Sequence, residues 1–144
     1  MAITQNISRN FLQEILVGTH NLTVTTGDTI KMALYLNTAT LDNTYATYDA
    51  TSDEVANGNG YTTGGITLTS VTPVLSGSTA ICDFSDAVWT SATFSTGGAL
   101  IYNSSQGNKS IAVLGFGGEQ SITGGTLTVE FPTADASNAI IRIT

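Results

Sequence analysis

Apolar and polar residues alternate most regularly between Ile30 and Asn37. A period of two places alternate side chains on opposite faces of a β-strand. The two sets are Ile30, Met32, Leu34 and Leu36 on one face, and Lys31, Ala33, Tyr35 and Asn37 on the other. The pattern predicts a strand whose first face is core. We expect the second face, with Lys31 and Tyr35, to point toward water or a partner.

Shorter segments of the same kind recur along the rest of the chain. Glycine-containing pairs punctuate them, at Ser76-Gly77, Gly97-Gly98, Gly107-Asn108, Gly117-Gly118 and Gly124-Gly125. Many short strands between glycine turns are typical of antiparallel β-sandwiches and barrels. We therefore predict an all-β, jelly-roll-like antiparallel sandwich. Its further strands are Asn21–Thr26, Ile66–Pro73, Thr79–Phe84, Ala87–Phe94, Ala99–Tyr102, Ser110–Phe116, Thr126–Phe131 (ended by Pro132 or lying at an edge) and Ala139–Ile143.

One segment near the N-terminus has helical spacing instead. Ser8 can cap a helix start, an apolar stripe follows, and Gly18 ends it, which predicts a helix over residues 8–17. We expect residues 1–20 to form an N-terminal arm with this helix and residues 21–144 to form one β-sandwich domain. The stripe consists of Phe11, Leu12, Ile15 and Leu16.

Residues 38–65 break the strand pattern. They are rich in polar residues and contain Asn57-Gly58-Asn59-Gly60 and the tyrosines Tyr45, Tyr48 and Tyr61. A connection this long is unusual in a compact domain. It is either a functional loop or hides short strands around Tyr45 and Tyr61. The three tyrosines either fold over the sheet edge or form a contact surface, since tyrosine anchors interfaces well.

Charge and composition exclude several classes of protein. The 144 residues include 4 Lys and Arg against 11 Asp and Glu, for a net charge of −7. Four cations cannot neutralise many phosphates, so a nucleic-acid partner is not expected. No apolar run reaches the roughly 18 residues of a membrane span, so no membrane partner is expected. A single cysteine, Cys82, excludes an intramolecular disulfide and suits a reducing compartment.

The residue types that carry chemistry are few and scattered. We predict that Cys82 is a small buried apolar residue and that the lone His20 is structural. Neither residue has a basic or metal-binding partner near it in the sequence. The segment Gly115–Glu119 reads as a hairpin turn, since it lacks the lysine of a phosphate-binding loop. Trp89 reads as core or interface. We expect no enzyme activity and no cofactor.

Two sets of carboxylates, Asp83 with Asp86 and Asp49 with Asp53 and Glu54, flank probable turns. Neither has the spacing of an EF-hand calcium loop. A pair of carboxylates could also cleave sugars, but the single tryptophan offers little of the aromatic lining that such clefts use. Neither set therefore predicts a site.

The chain as a whole resembles a family of small virion proteins of tailed bacteriophages. The residues that carry the resemblance are Phe11-Leu12, Gly18–Asn21, Asp28–Tyr35, Thr44, Tyr48, Glu54, Gly60–Gly65, Leu68, Asp83–Trp89, Ala99–Asn103 and Lys109–Phe116. The resemblance implies a structural protein, first of all a capsid decoration or cement protein. It supplies no active-site residues. The glycines of Gly60–Gly65 are expected to provide positive φ where the chain folds back.

The resemblance implies the major capsid protein as partner, on the outer capsid surface of a virion assembled in the host cytoplasm. Self-association as a homodimer or homotrimer is also expected. The predicted contact residues are Phe11, Leu12, Ile15, Leu16, Tyr45, Tyr48 and Tyr61. The alternatives are a tail, neck or fibre component and a carbohydrate-binding β-sandwich module, which would show exposed coplanar aromatic rings.

Overall fold

The computed structural model describes residues 2–144. The chain is 49% strand and 8% helix, with two antiparallel sheets and one short α-helix. The elements are β1 (Asn6–Ile7), α1 (Arg9–Leu16), β2 (Ile30–Tyr35), β3 (Ile66–Thr67), β4 (Ser70–Ser76), β5 (Thr79–Phe84), β6 (Ala87–Asn103), a 3-10 turn (Ser104–Gln106), β7 (Lys109–Val129) and β8 (Ile141–Ile143). The first sheet has the order β1-β7-β6-β2-β3 and the second the order β4-β5-β8.

The five-stranded sheet is buried on both faces at β2 and at the adjoining ends of β6 and β7. Alternate residues of β2 enter different apolar clusters: Met32 and Leu34 belong to one, and Ala33 and Tyr35 to the other. The first cluster also includes Phe11 of α1 and Phe84 of β5, so the helix and the second sheet cover that face. Residues from the 38–55 segment cover the opposite face.

The prediction that Tyr35 faces water or a partner is therefore wrong. Its side chain is only 1% exposed. Alternation with Lys31 suggested one solvated face, because Lys31 is charged and Tyr35 has a polar end. The sequence pattern of β2 gave no sign that a distant, polar loop folds back over this face.

Strands β6 and β7 form one long hairpin, whereas the sequence pattern predicted four separate strands over the same residues. Its chain reversal is the 3-10 turn, followed by Gly107 and Asn108 at positive φ. The glycine pairs at 97–98, 117–118 and 124–125 lie inside the two strands, so the hairpin turn predicted at Gly115–Glu119 is wrong. The register shifts between the pairs Thr96↔Gln120 and Gly98↔Gly115. As a result, the four residues 116–119 of β7 lie opposite one residue of β6 and form a wide bulge.

The N-terminal helix lies within one residue of its predicted bounds at each end. Ser8 occupies the N-cap position, but its buried hydroxyl makes no capping hydrogen bond and has no partner among residues 2–144. Gly18, at φ +74°, donates its N–H to the carbonyl of Ile15, and so ends the helix as expected. Within residues 2–144 no helix is both long and apolar enough to cross a bilayer.

Two further strand predictions differ from the structure. Residues 21–26 form a compact loop, in which Asp28 accepts a hydrogen bond from the backbone N–H of Asn21 at 2.9 Å and Thr25 has a positive φ. The predicted strand Ile66–Pro73 divides into β3 and β4. Strand β5 has its predicted bounds, and β7 ends at Val129, before Pro132.

Candidate functional site

The segment between β2 and β3 is a loop that closes both a face and an edge of the five-stranded sheet. Its residues 53–55 run beside the end of β2, where Leu36 donates its N–H to the carbonyl of Asp53 and Val55 donates to that of Leu34. Isolated bridges join Tyr35 to Glu54 and Gly58 to Tyr61. The sequence left open whether residues 38–65 form a loop or contain short strands, and in the structure they form a loop with isolated bridges.

A buried carboxylate holds this loop together. Glu54 is 5% exposed and accepts three hydrogen bonds: from the Tyr61 hydroxyl at 2.6 Å, the Gly64 backbone N–H at 2.7 Å and the Tyr48 hydroxyl at 3.0 Å. The Tyr61 hydroxyl also accepts the N–H of Leu34 at 3.0 Å. The carboxylate thus connects three parts of the loop to the edge of β2.

A second tyrosine from the sheet completes the network. Tyr102 of β6 donates its hydroxyl to the carbonyl of Gly64 at 2.7 Å, and its ring stacks on Tyr48 with 4.4 Å between centroids. Burial and the charge of Glu54 raise the pKa of Tyr102 to about 12. The pKa values of Tyr48 and Tyr61 are also raised, mainly by burial and secondly by the hydrogen bond to Glu54. All three side chains therefore stay protonated donors over the ordinary pH range.

The glycines of the predicted Gly60–Gly65 motif have the conformation expected of them. Gly60, Gly64 and Gly65 have φ values of +93°, +91° and +76°. A Cβ on Gly65 would lie 1.6 Å from the carbonyl oxygen of Met32. Only glycine therefore lets the chain turn this closely against β2.

Outside the Glu54 network, the loop and sheet enclose an open cleft of about 470 Å³. Tyr35, Ala39 and Leu41, each 1% exposed, contribute its floor. Among residues 2–144, no group makes a well-aligned hydrogen bond with the Tyr35 hydroxyl, although the Tyr45 hydroxyl is close enough to interact with it. The Tyr45 ring lies edge-on to Tyr35, with 6.4 Å between centroids, and its hydroxyl donates to Asp49 at 3.0 Å.

A second polar network ties the N-terminal helix to the sheet. The buried ring of His20 lies between Glu14 of α1, 2.7 Å from Nε2, and Asn103 of β6, 3.0 Å from Nδ1. Asn103 also donates to Asp28 at 2.7 Å, and Lys109 donates to Glu14 at 3.2 Å. His20 therefore anchors the helix to β6, a position consistent with the structural role that the sequence indicated.

The donors around Asn103 fix the tautomer of His20. The Oδ1 atom of Asn103 accepts the backbone N–H of Ser105 at 3.0 Å, so its Nδ2 faces both Asp28 and His20. Because Nδ2 can only donate, Nδ1 of His20 must accept, and the ring proton lies on Nε2 toward Glu14. The sequence did not reveal this network, since its hydrogen-bonded members are up to 95 residues apart.

The predicted contact residues divide into exposed and buried groups. Leu12 and Leu16 are 52% and 86% exposed, whereas Ile15 is half-buried and Phe11 is fully buried. Tyr45 and Tyr48 are half-buried on the sheet face, and Tyr61 is 2% exposed. Phe11 and Tyr61 offer no surface to a second protein in this conformation, and we withdraw them from the predicted interface.

An apolar groove lies between α1 and the second sheet. Phe11, Ile15 and Leu22 line one part of it and Ile141 and Ile143 of β8 another. The sequence predicted the helix stripe but not the groove, because its other wall comes from the C-terminal end of the chain.

The remaining candidate residues have structural positions. Cys82 is 4% exposed in the main core, and burial raises the pKa of its thiol to about 11, which confirms it as a buried apolar residue. Trp89 is a core residue. Asp83 is 1% exposed, and burial raises the pKa of its carboxyl despite the N–H of Phe84. Within residues 2–144 no three His, Cys, Asp or Glu side chains converge on a common point as metal ligands would.

Comparisons of the chain with family models, curated proteins and solved structures found no match. Three features of the chain bear on its function: the Glu54 network, the open cleft above Tyr35 and the exposed apolar surface of α1.

Proposed function

We propose that this chain is a non-enzymatic structural protein of a tailed-phage virion, and that it decorates the capsid. The observation that supports the proposal best is the apolar surface of the N-terminal helix. On eight helical residues Leu12 and Leu16 are 52% and 86% exposed, and the next residue, Val17, is 66% exposed. Contiguous apolar residues at a surface are typical of sites that bind another protein.

The composition of the chain supports binding by shape rather than by charge. Charged residues make up 10% of the sequence, against about 25% in average globular proteins. Fully burying a leucine side chain contributes roughly 1.5–3 kcal/mol. Leu12 and Leu16 can therefore supply a central apolar contact, and polar side chains around them can supply the rim.

Decoration stabilises a shell by mass action. A protein that binds the assembled shell, but not its separate subunits, adds RT ln(1 + [L]/Kd) at each site. The same free energy at every copy of the site lets a weak single contact resist the pressure of packaged DNA. In this proposal the chain forms or breaks no covalent bond.

The finer parts of the proposal follow from the sequence resemblance. They are the major capsid protein as partner, the outer capsid surface as location and assembly in the host cytoplasm. Self-association as a dimer or trimer and a jelly-roll arrangement of the two sheets also remain predictions. The runner-up is a tail, neck or fibre component, which would use the same apolar surface at another place in the particle.

The test is a reconstruction of purified particles of a phage that encodes the chain. Decoration predicts regularly spaced copies over the whole shell, with α1 at the contact. Copies at a single vertex would favour the tail or neck alternative. Particles that lack the chain altogether would contradict both.

Substitutions then test the helix itself. We expect Leu12→Ser with Leu16→Ser to lower occupancy on particles at least tenfold, because two apolar contacts are lost without disturbing the core. Val88→Ser is the matched control, since Val88 is 46% exposed on β6, away from the helix. Deleting residues 1–17 is a poorer test, because it also removes Phe11 from the core. Unchanged occupancy of the double variant would exclude the helix as the contact.

A further inference from the structure

The cleft above Tyr35 combines features that no part of the proposed decoration function requires. Its floor is buried and largely apolar, whereas its rim carries the exposed carboxylates of Asp49 and Asp53 and the hydroxyls of Thr44 and Thr51. Its volume of about 470 Å³ lies within the range of small-molecule sites.

The Tyr35 hydroxyl is the observation that points to a ligand. Tyr35 is 1% exposed, and within residues 2–144 its hydroxyl lies near that of Tyr45 but makes no well-aligned hydrogen bond, although native proteins leave few buried polar atoms unpaired. The half-buried Tyr45 ring, edge-on to Tyr35, is the side chain that a ligand would displace to reach this hydroxyl. An unpaired donor under an open cleft is a position where a ligand oxygen would complete the hydrogen bonding.

Charge and donor type limit what the ligand can be. In the part of the chain that the structure describes, no Lys, Arg or His lines the cleft and two carboxylates do, so phosphate and carboxylate ligands are disfavoured. Carboxylate oxygens accept hydrogen bonds, and threonine and tyrosine hydroxyls both donate and accept. The matching ligand is neutral and carries several hydroxyl groups, with a C–H face to lie on tyrosine.

We propose that this cleft binds one neutral sugar residue, with Asp49 accepting its hydroxyls and Tyr35 donating to a ring or hydroxyl oxygen. A calcium ion is the weaker occupant, because it takes six to eight oxygen ligands and the cleft offers two carboxylates. The inference is independent of the virion proposal, since it concerns the opposite side of the sheet from the exposed helix.

The experiment titrates the full chain with neutral monosaccharides (glucose, galactose, mannose and N-acetylglucosamine), with calcium chloride as a separate arm, and follows backbone amide NMR shifts. We expect at least one sugar to give saturable shifts confined to residues around the cleft, with a dissociation constant in the millimolar range. No saturable shift with any sugar, or saturable cleft shifts with calcium alone, would overturn the proposal.

Variants locate the site. We expect Tyr35→Phe and Asp49→Asn each to weaken sugar binding at least tenfold, and Glu119→Gln, an exposed acid on the β7 bulge, to leave it unchanged. Tyr35→Phe should also fold with an equal or higher unfolding midpoint, because it removes an unpaired buried hydroxyl. A lower midpoint, or unchanged sugar affinity in Tyr35→Phe, would show that the hydroxyl has another role. Virion occupancy, measured without sugar, tests the decoration function separately.

Discussion

Replacing Glu54 by glutamine tests whether one buried carboxylate holds the loop on the sheet. Its Oε1 accepts from Tyr61 and Gly64, and its Oε2 accepts from Tyr48. Glutamine keeps the first oxygen but places an NH₂ group opposite the Tyr48 hydroxyl, which must turn and become an acceptor. The charge that strengthens all three hydrogen bonds is lost.

The expected cost follows from those three bonds. A hydrogen bond to a charged group contributes about 1.5–3 kcal/mol and a neutral one about 0.5–1.5 kcal/mol, so each bond loses about 1 kcal/mol. Removing a buried charge returns part of this, because desolvating the carboxylate was unfavourable. We expect Glu54→Gln to lower the free energy of unfolding by about 2 kcal/mol.

Urea unfolding followed by fluorescence measures this change, because the only tryptophan, Trp89, is 3% exposed and becomes solvated on unfolding. The midpoint should fall without a change in slope, as for a two-state protein that loses stability alone. Glu119→Gln is the matched control and should stay within about 0.5 kcal/mol of the parent. A Glu54→Gln protein as stable as this control would refute the role assigned to the carboxylate.

Three further predictions concern backbone, thiol and hydroxyl groups. Gly65→Ala should prevent folding, because the new Cβ would lie 1.6 Å from the carbonyl oxygen of Met32. Gly117 has the same φ of +76°, but a Cβ there would meet no atom within 4 Å, so Gly117→Ala should fold and lose only about 1–2 kcal/mol of unfolding free energy, measured with urea. Cys82, whose thiol pKa burial raises to about 11, should react with a thiol reagent only when urea is added; rapid native reaction would contradict its burial. Burial raises the pKa of Tyr102 to about 12, and those of the other four tyrosines also lie above 10. The unfolded chain therefore loses protons first, so stability should fall above pH 10 and tyrosinate absorbance should rise together with unfolding; tyrosinate formation in the folded state would refute this.

Local patterns predicted the elements that depend on local residues. The helix over 8–17, the strand from Ile30 and strand β5 follow from periodicity and a glycine stop. The merging of four predicted strands into β6 and β7 could not be predicted in this way. Glycine pairs allow either a turn or a bulge, and the choice between them depends on which strand lies opposite.

The site was predictable in composition but not in arrangement. The sequence drew attention to Tyr45, Tyr48 and Tyr61 and to the nearby acids, and it predicted positive φ at the glycines. It could not show that Glu54 is buried and paired with two of these tyrosines while Asp49 and Asp53 remain exposed. That difference arises because residues 53–55 run along the edge of β2, where Glu54 is the one acid of the three whose side chain is buried.

The long loop explains why the two candidate surfaces can act separately. Glu54 and the tyrosines fix the loop on one face of the five-stranded sheet, whereas His20 and Glu14 fix α1 on the other side of the molecule. The Glu54 network reaches Leu34 of β2 and Tyr102 of β6, and the His20 network reaches Asn103 of β6, so the loop and the helix are fixed to the same part of the sheet. The backbone N–H of Arg9 in α1 also donates to the carbonyl of Asn43 in the loop at 3.0 Å. The side chains of Asp49 and Leu16 make none of these contacts, so Asp49→Asn should leave the helix in place and Leu16→Ser should leave the cleft in place. Shell binding and sugar binding should therefore respond to these two substitutions independently.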